Sequence, residues 1–599
     1  MKSITVSCLF VLTISVFLSF PRALSHGGDN YESIATLQSC LIHRKVNNFY
    51  MYPTAGNDPG GFYYSLLNFS IQNLRFAGAA VPKPAAIVLP ASTAEVADSV
   101  RCCRKEGFEI RVRSGGHSYE GSSYVSGGAA PFVVVDLMRL DRVHVDVAAA
   151  TAWVQGGATL GQVYYAITEA SGGALGFSAG SCPTVGAGGH IAGGGFGLLS
   201  RKHGLAADNV VDAHLVVAGG AVLDRAAMGE EVFWAIRGGG GGVWGVVAAW
   251  KIRLHPVPPT VTAFIASRHG GDHVTNLVDT WQHVAPKLPD EFYLSVFVGA
   301  GLPEYPNSGG ISATFKGFFL GPKSQTIKTL QKFFPQLKIK IENCQEMTWI
   351  ESILYFSGLK NGTQIEGLKD RFLHNKNYFK AKSDYVRNPI TRQGIRTLIG
   401  ALEKQPKGYV IMDPYGGKMG RIKKDSIAFP HREGNLFTVQ YLVDWEEDED
   451  VRREEYMEWI RGVYGEMEGH VSADPRAAYV NYVDYDLGVM GDGHVDGGDE
   501  VERARVWGEK YFLENYERLV RAKTMIDPMN VFRNQQGIPP LGESIGSRAK
   551  RAEGLWSAQR VKYRDNFGLL GTRVSMRRVG RRLGRRRCNR SGDGFRYGF

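Results

Sequence analysis

Arg111–Tyr124 reads RVRSGGHSYEGSSY. An apolar, strand-like run ends here, the chain turns on Gly115 and Gly116, and His117 stands at the turn. A glycine pair lets backbone N–H groups converge without interference from a Cβ, which suits a phosphate-sized anion better than core packing. Taken alone, the turn also fits an ordinary loop that happens to hold a histidine. Upstream, the residues predict strand, helix, strand and then this turn. Ala86–Leu89 is a short apolar strand, and Ser92 with Glu95 has the spacing of a capping box. Val96, Val100 and Cys103 fall on one helical face before Gly107 ends the helix, and Glu109–Val112 is the second strand.

A second glycine-dense stretch, Gly176–Gly204, reads GFSAGSCPTVGAGGHIAGGGFGLLSRKHG and carries a single cysteine, Cys182. Before it, Phe132–Leu137 is a buried strand, and Thr159 caps a helix whose Leu160, Val163, Tyr164 and Ile167 form a core stripe. Ser171-Gly172-Gly173 stops that helix. After it, Asn209–Gly220 reads as strand and hairpin turn. In Glu231–Leu254 a five-glycine run lies between apolar stretches, and the flanking Trp234 and Trp244 argue for a packed run rather than a linker.

At 599 residues the chain exceeds the size at which single cores stop growing, so two domains are expected. His255–Pro259, HPVPP, marks the boundary because three prolines interrupt any helix. Beyond it, alternating runs such as Tyr293–Val298 and Thr438–Val443 are interleaved with helices, one of which has Ile327, Leu330 and Phe334 on a common face. That pattern predicts an antiparallel sheet backed by helices, and the expected fold class is α+β. Tyr479–Gly488 leads back to the first domain, and a final helix is expected over Val506–Thr524.

Met1–Ser25 has Lys2, an apolar run from Ile4 to Phe20 and small residues at Ala23 and Ser25, the layout of a secretory leader. No later segment has 18 uninterrupted apolar residues, so no membrane span is expected once the leader is removed. Sequons at Asn68, Asn361 and Asn589 are compatible with secretion. The net charge of +11 is local: residues 541–599 hold 16 Lys+Arg against 4 Asp+Glu, a net +12 that leaves the rest at −1. The tail reads as a disordered extension, as the product of a wrong reading frame, or as a binder of anionic partners. Nucleic acid is not an expected partner of the neutral body.

The two glycine stretches together, RSGGHSYEG and CPTVG, resemble the berberine bridge enzyme-like proteins of plants, in the vanillyl-alcohol oxidase or PCMH-type class of flavoproteins. The likeness runs from about Cys40 to Pro540. It implies FAD bonded to His117 through the 8α-methyl and to Cys182 through C6, with Ser114, Gly115, Gly116, Ser118, Gly186, Gly188 and Gly189 around the cofactor. His190 is assigned to the flavin edge, with a purely structural histidine as the alternative. Cys182 needs thiolate character to attach, so a neighbouring positive partial charge is expected. The implied domains are an FAD-binding domain over 26–255 with its PCMH-type core at about 80–255, a substrate domain over 256–488, and a return segment over 489–540.

Cys40 can pair with Cys102 or Cys103 in an oxidising compartment. Helical spacing directs Cys103 into the core and turns Cys102 roughly 100° away, and the resemblance gives Cys102 the family's cysteine position, fifteen residues before the histidine. The expected bridge is therefore Cys40–Cys102, with Cys344 a buried free thiol.

The resemblance also implies a tyrosine base at Tyr482 and a substrate-facing Gln440, which is a glutamate in alkaloid-cyclising members. A neutral amide cannot remove a proton at pH 7, which turns the expectation towards sugars or simple alcohols. Members resembling monolignol oxidoreductases have tyrosine in place of Phe196 and lysine in place of Thr438. Without that ammonium, Tyr482 lacks the charge that would lower its pKa. Val185 matches a position that gates oxygen, where valine goes with oxidase behaviour and peroxide release. The expectation is a monomeric, secreted oxidase of the apoplast or cell wall, acting on a carbohydrate or alcohol with molecular oxygen. The alternatives are a dehydrogenase of monolignol-type allylic alcohols and a catalytically impaired, flavin-bound glycoprotein.

Overall fold

A computed structural model describes residues 26–53, 58–128, 130–304, 310–372, 374–491 and 499–542. The expected leader, the sequon at Asn589 and the basic tail from 543 onward lie outside the described residues.

The first half is built on two sheets. One has four strands in the order Phe49–Met51, Ala86–Val88, Phe132–Asp136, Glu109–Arg113, the last three parallel. Phe132–Asp136 is buried along its whole length, as a near-continuous apolar run in a parallel sheet should be. The helix Thr93–Lys105 packs on this sheet with Val96, Val100 and Cys103 inward. Ser92 caps it by accepting the Glu95 N–H at 3.2 Å, but the Glu95 carboxylate takes the Ala91 N–H instead of that of Ser92. The reciprocal box expected from the spacing is therefore shifted by one residue. The second sheet is antiparallel, in the order Val143–Asp146, Thr151–Gln155, Val246–Arg253, Val210–Val216, Val222–Leu223.

The other half is a seven-stranded antiparallel sheet. Its order is Gln345–Met347, Val261–His269, Ser312–Phe319, Phe292–Gly299, Gly408–Pro414, Phe437–Trp445, Tyr378–Val386. Side chains alternate across a strand. Phe437, Val439, Tyr441, Val443 and Trp445 are accordingly buried under the helices Gly271–Val284, Arg392–Glu403 and Arg453–Glu466. Each fully buried Val, Leu or Phe of this layer contributes roughly 1.5–3 kcal/mol. Thr438 and Gln440 fall on the opposite face, towards the first half.

Two buried devices hold the halves together. Arg201, fully buried, donates to the carbonyls of Phe292 at 2.8 Å, Leu288 at 2.5 Å, Pro286 at 3.1 Å, and Tyr415. Lys380 on the edge strand bonds Glu120, just past the His117 turn, and Asp484 at 2.7 Å, just past Tyr482. Lys382 reaches Asp484 at 2.6 Å and Asp486 at 3.0 Å. Burial works against the Lys380 ammonium, yet Glu120, Asp484 and Asp486 outweigh it and hold its value above the ordinary lysine range.

The single C-terminal helix expected over Val506–Thr524 is instead two, Glu500–Phe512 and Tyr516–Ile526. The break falls at Leu513, with φ of +47°. No glycine or proline marks it, and the apolar spacing keeps phase across it, so periodicity alone reads straight through. The tertiary reason is Gly508, where a Cβ would come 2.2 Å from the Tyr516 ring: the second helix folds back onto the first.

Candidate active site

The His117 turn is held by contacts that only glycine permits. A Cβ on Gly116, at φ +70°, would lie 1.6 Å from the Ser70 carbonyl oxygen, and one on Gly115 would lie 2.2 Å from the Gly186 nitrogen. The two glycine-dense stretches thereby meet backbone to backbone. Ser114 Oγ donates to the Gly156 carbonyl at 2.6 Å and fixes the entry to the turn.

Around this junction lies a cavity of about 400 Å³. Its wall includes Ser114, Gly115, Gly116, His117, Ser118, Tyr119, Cys182, Val185, Gly186, Gly188, Gly189, His190, Gly239–Gly242 and Tyr482. Of the residues singled out in the sequence as flavin or catalytic groups, Gln440 alone stands back from it. The Gln440 Nε2 donates to the Tyr119 hydroxyl at 2.7 Å, so it reaches the wall through that ring. The five-glycine run, expected to be packed, contributes four residues to the wall.

His117 Nε2 lies 2.9 Å from Thr184 Oγ1, and Cys182 Sγ lies 3.8 Å from the same oxygen. Burial pushes the imidazole of His117 down to about 4, so it is neutral near pH 7. Burial also pushes the Cys182 thiol up, opposed by the Thr184 hydroxyl and by the backbone N–H groups of Thr184 and Val185. N–H and O–H dipoles thus stand beside Cys182, but burial outweighs them and the resting thiol keeps its proton near pH 7. His190 Nε2 accepts the Gly180 N–H at 3.1 Å, and its carbonyl accepts from Asn481 Nδ2 at 3.0 Å. It combines a structural bond with a place in the cavity wall, and burial lowers its value to about 4.

Tyr482 stacks on Tyr119, and burial raises its phenol well above the usual value, with Tyr119 and Asp413 adding to the effect. Tyr479 and Tyr293 raise it further. Thr438 Oγ1 donates to the Asp384 carbonyl at 3.1 Å, and Phe196 stacks on Tyr415. Asp413 lies opposite Thr438 in the sheet, accepts from the Tyr293 hydroxyl at 2.5 Å, and is raised by burial to about 6. Sequence reading passed over Asp413, although an acid inside the apolar strand Gly408–Pro414 was a visible signal. It also passed over Thr184, although that residue stands inside the CPTVG run.

The remaining assignments lie apart from the cavity. Cys40 and Cys102 form a disulfide, Cys344 is a buried free thiol, and Asn68 and Asn361 are exposed. Among the described residues no cluster of His, Cys, Asp or Glu could hold a metal ion, and no helix is long and apolar enough to cross a membrane.

The cavity suits a large planar cofactor with a phosphate-bearing arm. At Gly189 and Gly242 an added Cβ would meet nothing within 4 Å, so the missing side chains are themselves cavity space. Ser123 Oγ, also in the wall, is buried without a hydrogen-bond partner.

Residues 84–225 match the family model of an FAD binding domain, and residues 478–539 match the model "Berberine and berberine like". The chain is 56% identical to berberine bridge enzyme-like D-2 of Nicotiana tabacum, over 91% of this chain and 98% of that protein. The chain belongs to the berberine bridge enzyme-like family of FAD-binding oxidoreductases. Its α+β fold of two domains is that of berberine bridge enzyme. A variant of that enzyme, a reticuline dehydrogenase, superposes with a TM-score of 0.81 at 46% identity, covering 85% of this chain and 99% of its own. A variant of Phl p 4 that is a glucose oxidase gives a TM-score of 0.78 at 39% identity, with coverages of 85% of this chain and 100% of its own.

Proposed function

We propose that this chain is a secreted oxidase that holds FAD through His117 and Cys182 and oxidises the alcohol carbon of a carbohydrate or small alcohol, releasing hydrogen peroxide. The observation that carries this reading is that His117 and Cys182, far apart in sequence, line one cavity and touch one hydroxyl. FAD, when bound, supplies the hydride acceptor and passes the electrons to oxygen. Ser114, Ser118 and the glycines Gly115, Gly116, Gly186, Gly188 and Gly189, all in the cavity wall, would hold its phosphate-bearing arm, and Val185, in the same wall, is the residue we assign to oxygen access.

Proton handling falls to the sheet face. An amide takes no proton at neutral pH, so Gln440 orients Tyr119, and Tyr119 supports the Tyr482 ring. We assign Tyr482 Oη to the substrate hydroxyl. Its phenol is protonated at rest, so it accepts a proton only as its own moves on, and Asp413, ionised above about pH 6, is the acceptor we assign. The division we propose between an FAD-binding domain over 26–255 and a substrate domain over 256–488 is supported by the end of the five-stranded sheet at Arg253 and the start of the seven-stranded sheet at Val261. Secretion to the apoplast or cell wall is supported by the leader-like start, the disulfide and the two exposed sequons.

A second reading, a flavin-bound protein with impaired catalysis, is favoured by Phe196 and Thr438, which stand where the resemblance implies tyrosine and lysine in members acting on monolignols. Incubation with a panel of sugars and alcohols separates the readings. The oxidase bleaches anaerobically with at least one of them and releases peroxide in air. Bleaching without reoxidation in air marks a dehydrogenase, and no bleaching by any member of the panel refutes the assigned catalysis.

A further inference from the structure

We propose that Thr184 is the positioning residue for both flavin attachments, its hydroxyl setting the tautomer of His117 and favouring the thiolate of Cys182. This rests on the reading that His117 and Cys182 carry the cofactor.

Thr184 is 2% exposed, and its place is fixed by the backbone on both sides. The Pro183 carbonyl accepts the Gly161 N–H at 2.9 Å, and the Val185 carbonyl accepts the Leu160 N–H at 2.9 Å. Pro183 restricts its own φ, and a β-branched threonine is stiff at χ1, so Oγ1 has little freedom to leave the gap between imidazole and sulfur. A hydroxyl offers one proton and accepts through its lone pairs. Two arrangements satisfy both neighbours. In one, His117 Nε2–H donates to Oγ1 and the Oγ1–H donates to Cys182 Sγ. In the other, the thiol donates to Oγ1 and the Oγ1–H donates to Nε2, which moves the imidazole proton to Nδ1.

Attachment through Cys182 needs the sulfur as a thiolate, which can only accept, so the first arrangement is the one we assign: Oγ1–H donates to Sγ, Oγ1 accepts from Nε2–H, and Nδ1 keeps its lone pair. With Nε2–H donating, the hydroxyl proton is free for the sulfur. One rotor thus prepares both groups as nucleophiles. Each attachment replaces one C–H bond of the ring system and one N–H or S–H bond of the protein by a C–N or C–S bond. The two hydrogens leave as hydrogen peroxide when molecular oxygen reoxidises the ring.

The test is the fraction of His117 and Cys182 peptides carrying flavin, read by mass after digestion of secreted wild type, Thr184→Val and Thr184→Ser. Thr184→Val keeps the shape and removes the hydroxyl. Losing a hydrogen bond to a charged group slows attachment by about tenfold to a hundredfold. The expected result is flavin retained without a covalent bond in Thr184→Val, with linkage at both sites down at least about tenfold, and recovery in Thr184→Ser. Full linkage at both sites in Thr184→Val, or loss of linkage in Thr184→Ser, overturns the proposal. Should Thr184→Val not fold, Thr184→Ala, which also lacks the hydroxyl, is read the same way. Wild type without covalent flavin refutes the underlying reading and this proposal with it. Wild type with both links and an unaffected Thr184→Val refutes this proposal alone.

Discussion

Tyr119 and Tyr482 lie face to face, their ring centroids 5.3 Å apart and their planes 2° from parallel. One comes from the His117 turn and the other from Tyr479–Gly488, the stretch that leads back to the first half. Gln440 holds the Tyr119 hydroxyl from the sheet above, so three separate parts of the chain set the position of one phenol. Removing that phenol while keeping the ring preserves the stack. Tyr482→Phe is therefore expected to bind flavin normally and to lose about 10²–10⁴-fold in kcat/KM, measured on the best alcohol of the panel.

Asp413 carries a pH signature. Its carboxyl is raised by burial to about 6, and the groups facing it are Tyr293 by hydrogen bond, Lys316 by charge, Thr438 across the strand, and the phenols of Tyr119, Tyr415, Tyr479 and Tyr482. A proton acceptor works when charged, so kcat/KM falls as pH drops through about 6. In Asp413→Asn that limb disappears together with most of the rate. A limb that survives in Asp413→Asn assigns the proton elsewhere.

Stability follows a different set of groups. Burial holds His190, His203 and His255 at about 4 and His431 at about 3 in the folded chain, below the ordinary histidine value of about 6.5. The unfolded chain binds more protons between those values, so this contribution is complete above about pH 6.5 and is lost as pH falls towards 4. Asp384 and Asp413, raised to about 6, act in the opposite sense, their burial cost easing as pH falls below 6. Four histidines outweigh two carboxyls, and the melting temperature is expected to fall from pH 7 to pH 4.5. A flat or rising melting temperature would contradict the assignment.

The buried ion cluster is a structural wager of the same site. Lys380→Met leaves Glu120 and Asp484 with one buried cation fewer, for which the expected loss is about 3–5 kcal/mol in denaturant unfolding. A Lys380→Met, Glu120→Gln double variant should recover part of that loss. The recovery separates charge pairing from simple packing.

Legibility stopped where contacts became long-range. The capped helix Leu160–Ser171 was readable because Thr159 and Gln162 bond each other across three residues, and Gly172 in the left-handed region closes it. An antiparallel sheet was readable from the alternation in Tyr293–Val298 and Thr438–Val443, which lie within the strands Phe292–Gly299 and Phe437–Trp445, but not its seven strands or their order. Asp413 stood out as a lone acid in an apolar run, but only the register against Thr438 places it on the face turned towards the first half. Thr184 was hidden because its partner His117 lies 67 residues away. Leu513 was hidden because the fold-back depends on the Gly508–Tyr516 contact and on no helix breaker.

The most direct test of the account is the colour of acid-precipitated, denatured protein. A flavin tethered through His117 and Cys182 stays with the wild-type pellet and is washed out of the His117→Ala, Cys182→Ala double variant. A colourless wild-type pellet, or a yellow one from the double variant, would contradict it.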